Sequence, residues 1–221
     1  MSVWSILVNY YPAFLNGLGV TLQLSAIIWG CGLVLGSALG LAGVRFPWTV
    51  GTPSRLFSFM LSGVPILVFL FWLHYPAQAM FNVVINPFIT AAFTLSVVNI
   101  FGVADTVRGA LNDFPKQYLT AAKVTGLTRK QTIFKIQLPL ILRQILPTLL
   151  FLQVAMLHTT LFASLISVEE IFRVAQRINA QIYRPVEIYT ALGIFFLAVS
   201  LPVNGFALWL KARFTRDISE T

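Results

Sequence analysis

Residues 115–139 read PKQYLTAAKVTGLTRKQTIFKIQLP. Pro115 offers a helix start, and good helix formers surround Ala121 and Ala122. Gly126 can end that helix in a left-handed conformation, which a residue without Cβ adopts freely. Thr128 is then placed to cap a second helix from 129 to 136 that runs into Leu138 and Pro139. The stretch therefore reads as helix, glycine turn, helix. It carries Lys116, Lys123, Arg129, Lys130 and Lys135. The residues admit two readings: a loop whose small side chains at Ala121, Ala122 and Gly126 let another protein approach, or a solvated basic loop that only fixes membrane topology.

Outward from this loop the chain is strongly apolar. Hydrophobic residues make up 57% of its 221 residues and charged residues 10%, against about 25% charged in ordinary globular proteins. No charge precedes Arg45, and none lies between Arg55 and Asp105. So few charges cannot make a water-soluble surface, which excludes a soluble enzyme, a disordered tail and a secreted disulfide scaffold. Cys31, the single cysteine, excludes an intramolecular disulfide and a multi-cysteine metal site.

About 20 apolar residues cross a bilayer. Five stretches qualify: 15–44, 57–73, 87–103, 138–165 and 188–210. The fold class is thus an all-α integral membrane protein with five transmembrane helices and one sizeable loop, between the third and fourth. We read residues 1–221 as a single transmembrane domain, with 1–14 as an interfacial segment carrying Trp4, Tyr10 and Tyr11, 105–137 as the loop, and 77–86 as an interfacial or re-entrant piece. Segment 1–14 has no basic start, so a cleaved signal peptide is not expected.

With five spans, twelve of the fifteen Lys and Arg residues fall on one side and Arg173, Arg177 and Arg184 on the other. Basic loops stay in the cytoplasm, so the N-terminus is expected outside and the C-terminus inside. The net charge of +8 is accounted for by this topology rather than by nucleic-acid binding.

Here a resemblance enters. Thr120-Ala121-Ala122, Gly126 and Ile136-Gln137-Leu138-Pro139 resemble the EAA loop of ABC importer permeases: Glu-Ala-Ala, three residues, Gly, nine residues, Ile-x-Leu-Pro. Only the leading Glu differs, as Thr120. Arg143 and Pro147 continue the likeness to the polar amino-acid branch (histidine, glutamine and arginine permeases). So do Gly17, Thr21-Leu22, Leu24-Ser25 and Ala104-Asp105-Thr106-Val107-Arg108-Gly109. The family's Phe-Arg-Gly-Thr-Pro appears as Leu61-Ser62-Gly63-Val64-Pro65, without its arginine. Its Lys-Asp-Thr-Ser-Leu falls on His158-Thr159-Thr160-Leu161-Phe162, and its Glu-Leu on Glu170-Ile171.

The resemblance implies a permease subunit of a bacterial inner-membrane uptake system for a polar amino acid or related small solute; a different solute is the alternative. It implies two cytoplasmic ATPase subunits docking at Thr120, Ala121, Ala122, Gly126, Leu138 and Pro139, an external solute-binding protein, and a second permease. The loss of the Glu at Thr120 favours a second permease of different sequence over a homodimer. No Gly-x-x-x-x-Gly-Lys-Ser/Thr phosphate loop is present, so ATP and Mg are expected on the partner, with no cofactor here and no enzymatic activity in this chain. A membrane-embedded enzyme lacks its activated polar pair; a self-contained channel or carrier would have no use for the loop pattern. For the solute path we expect His158, Thr160 and Ser164 inside the fourth span, with Glu170 near its mouth, since polar groups in a span face a cavity or partner. His158 could equally make an interhelical hydrogen bond, and the hydroxyls could bond their own helix.

Overall fold

The computed structural model describes residues 3–219, with side chains through Phe214. Met1 and Ser2 of the expected interfacial segment, and the side chain of Arg216, lie outside the described residues. All regular structure among these residues is helical. We label the helices α1 (Val3–Arg45), α2 (Pro47–Ser62), α3 (Ile66–Met80), α4 (Pro87–Asn112), α5 (Lys116–Val124), α6 (Arg129–Ile166), α7 (Ile171–Ile182) and α8 (Pro185–Ser219).

Four helices are long and apolar enough to cross a membrane: α1, α4, α6 and α8. A fifth crossing exists if α2 and α3 are taken together, and these meet at a bend of 97°. The sequence placed one straight span at 57–73, and the bend falls in its middle, at Gly63-Val64-Pro65. Proline disfavours helical geometry in the residue before it and brings no N–H of its own. Pro65 sits at φ −55°, ψ 134°, as the cap of α3.

Two further boundaries differ from expectation. The first helix is described from Val3 and runs unbroken through Pro12, so residues 3–14 are continuous with the first span. Tertiary packing decides this, since Ile6 is fully buried against α7 and α8. The loop is also shorter than 105–137. Asp105 to Asn112 belong to α4, and Arg129 to Gln137 open α6, leaving 113–128 and the short α5.

At the centre, α4 packs against α1, α3 and α6. Gly32, Gly36 and Gly40 repeat every four residues on α1 and face α4. A Cβ at Gly36 would come 2.7 Å from the Ile100 carbonyl, and one at Gly40 2.8 Å from that of Ala104. Small residues at this spacing let membrane helices approach closely. Three apolar clusters complete the core. One joins Leu24, Leu70, Leu95 and Met156; one seats α7 through Val174 and Ile178 against Ile6 and Ile188; one packs Val107 and Phe114 on Ile141 and Ile145 below α5.

Candidate functional site

The loop is built from two local devices. At the end of α5, Gly126 has φ +74°. The Leu127 N–H donates to the Ala122 carbonyl at 3.0 Å and the Gly126 N–H to that of Lys123 at 3.1 Å, the paired bonds of a Schellman turn. At the start of α6, the Thr128 hydroxyl accepts from the Gln131 N–H while the Gln131 side chain accepts from the Thr128 N–H. This reciprocal capping box satisfies two otherwise orphaned donors. Together they hold α5 and α6 in a fixed angle.

Within that frame the small residues divide. Ala121 is exposed, whereas Ala122 is 1% exposed and faces inward. Adjacent residues on a helix point about 100° apart, so of the two only Ala121 lies on the exposed face. Thr120 is exposed, and its hydroxyl donates to the Lys116 carbonyl at 3.2 Å. Leu138 is 41% exposed. Just before it a widened turn spans Ile133–Gln137, with the Leu138 N–H reaching the Ile133 carbonyl. This i→i−5 geometry lets a proline enter a continuing helix, because the carbonyl its ring would strike is displaced. Pro139 occupies that position. Between α5 and α6 lies a cleft of about 430 Å³, with Lys123 and Arg129 on its walls.

On the opposite side, the expected path residues separate. His158 is exposed and its Nε2 lies 2.8 Å from the Ser200 hydroxyl of α8; its ring meets Phe196 edge-on. Thr160 and Ser164 are fully buried, and each hydroxyl donates to a carbonyl of its own helix, Leu157 and Leu161, at 2.7 Å. Both hydroxyls thus bond their own helix, the second of the two arrangements given for them above. Glu170 is fully buried, capping α7 by accepting from the Phe172 and Arg173 N–H groups at 3.0 and 2.7 Å. Burial pushes its carboxyl up to about 7, although the two backbone donors pull the other way. The four residues therefore do not form one lining.

Two polar clusters were not singled out from the sequence as sites. Asn99 and Gln153 join α4 to α6 through their amides at 2.9 Å, and Asn99 also donates to the Ile28 carbonyl of α1. Amides within apolar spans were the available signal. Arg108, 2% exposed, pairs with Asp105 at 2.8 Å and donates to the Ser54 hydroxyl at 2.6 Å; Ser58 donates to Asp105. This cluster ties α2 to α4. Among the described residues, no three of His, Cys, Asp and Glu come together to hold a metal ion.

A family described as "Binding-protein-dependent transport system inner membrane component" matches residues 32–216. The Glutamine transport system permease protein GlnP of Escherichia coli (strain K12) is 30% identical over 202 residues, covering 91% of this chain and 92% of that protein. The Octopine transport system permease protein OccM of Rhizobium radiobacter is 29% identical over 220 residues, covering 93% and 90%. The crystal structure of an amino acid ABC transporter with histidines superposes with a TM-score of 0.84 at 23% identity, covering 96% of this chain and 99% of that one. That last likeness is one of fold.

Proposed function

The chain belongs to the family of inner membrane components of binding-protein-dependent transport systems, and from that premise we propose that it is the channel-forming permease of an ABC importer for a polar amino acid or related small solute. The solute class rests on relatives named for glutamine and octopine transport. Segment 113–128 is the coupling loop and lies in the cytoplasm with the C-terminus, the N-terminus lying outside. A partner ATPase docks on the loop and supplies ATP hydrolysis with Mg, and an external solute-binding protein delivers the solute. Thr120, Ala121, Gly126, Leu138 and Pro139 form or support the docking face. Ala122 supports it from beneath. His158 is the member of the expected path set that reaches a surface, beside Ser200.

The observation that supports this reading is the turn at Gly126, which closes a short helix with Ala121 on its exposed face. A free topological loop has no need of a Schellman turn followed by a capping box. Ala121→Trp adds bulk on the exposed face, and Gly126→Val strains a backbone at positive φ. Both variants should insert into the membrane at normal levels yet lose co-purification with the ATPase and lose solute uptake. Normal co-purification of the Ala121→Trp variant would refute docking at this face.

A further inference from the structure

From Phe114 to Val168 the chain has no Asp or Glu, while it has Lys116, Lys123, Arg129, Lys130, Lys135 and Arg143. Lys116, Lys123, Arg129, Lys130 and Lys135 are all exposed, and none takes part in a salt bridge among the described residues. Arg129 and Lys130 also occupy the first turn of α6, where the helix dipole disfavours positive charge. Topology accounts for basic residues on this side of the membrane, but not for where on the loop they gather.

The geometry concentrates part of it. Lys123 lies in the last turn of α5 and Arg129 in the first turn of α6. The turn at Gly126 and the cap at Thr128 bring both onto the walls of the cleft of about 430 Å³, whose remaining wall includes Leu119, Leu127 and Ile133. A recess with an apolar lining and two cationic walls suits a side chain with an apolar stem and a carboxylate head. Arg and Lys pair most strongly with such a group when water is partly excluded.

We infer that the cleft between α5 and α6 receives a carboxylate-bearing surface of the ATPase subunit, so that docking to this permease is electrostatic with the positive partner on the membrane side. This deepens the docking role proposed above and rests on it. A bilayer surface also attracts lysine and arginine. A flat headgroup surface would meet exposed Lys116 and Lys130 as readily, whereas two cations gathered on one recess with apolar walls favour a protein side chain.

The test uses the whole importer, purified with its ATPase. The Lys123→Glu/Arg129→Glu pair should weaken ATPase retention on the order of tenfold or more, and Lys123→Gln/Arg129→Gln by an intermediate amount. Raising potassium chloride from about 50 to about 500 mM should weaken wild type and leave the Gln pair less affected, since screening acts only on charge that is present. Retention that is indifferent to both salt and charge overturns the inference. So does a change confined to binding of phosphatidylglycerol vesicles, which assigns the charge to lipid. Ala121→Trp separates the two readings. If it abolishes retention while the charge variants do not, docking stands and its electrostatic character falls; if none has an effect, docking itself falls.

Discussion

Glu170 is the residue with the clearest physical consequence. Its carboxyl titrates near 7 in the fold against about 4.3 in an unstructured chain. A folded pKa raised above the unfolded one means that folding favours the protonated form. The stabilisation is complete below about 4.3 and is lost as pH rises through about 7, by about 4 kcal/mol. Thermal unfolding in detergent should therefore show a midpoint that falls between pH 5 and pH 8. Glu170→Gln keeps one acceptor for the N-terminus of α7 and no titration, so its midpoint should vary little over that range. An unchanged pH slope in the variant would assign the dependence to another group. The residue also marks a limit of sequence reading. Its position after the fourth span was legible, but its burial was not, because that depends on α7 folding back onto Gly17 and Thr21 of α1.

Among the elements, α1 and α4 depend on close approach. Gly36→Ala would place a Cβ 2.7 Å from both the Ile100 carbonyl and the Val103 Cβ. Gly30 on the same helix has open space around the corresponding position. We expect Gly36→Ala to destabilise by about 1–3 kcal/mol through overpacking, and Gly30→Ala to be neutral or to stabilise by up to about 1 kcal/mol through helix propensity. Matched thermal melts of the two variants check this, and equal effects would show that the stripe is not a contact. The apolar runs made the long helices legible, and Gly126 and Thr128 made the turn legible, because caps are written in the residues that make them. The bend at Gly63-Val64-Pro65 was hidden inside an apolar run. The widened turn at Ile133–Gln137 was hidden because its hydrogen bonds shift without any change in polarity. Ala121 and Ala122 look alike in sequence, and only the fold decides which one is outward.

For the whole molecule, the question is what completes the assembly. The resembling family carries a Glu where Thr120 stands, and the Thr120 hydroxyl is turned back onto the Lys116 carbonyl. Past Asp113, this loop thus offers a partner backbone, small side chains and positive charge, with no carboxylate at the position where the family has its Glu. A symmetric pair of such chains would place two loops without that Glu over two identical ATPase subunits. A second permease that keeps the Glu would instead give two distinct docking modes under one roof, one led by a carboxylate and one by the basic cleft. The asymmetric assembly uses both kinds of contact and accounts for the loss at Thr120, so it is the one we propose. Affinity purification of the tagged chain from its native membrane, followed by mass spectrometry, should then recover a second, different permease in equal amount with this one. Recovery of this chain and the ATPase alone, in a complex that transports, would establish the homodimer and would require the basic cleft to serve on both halves.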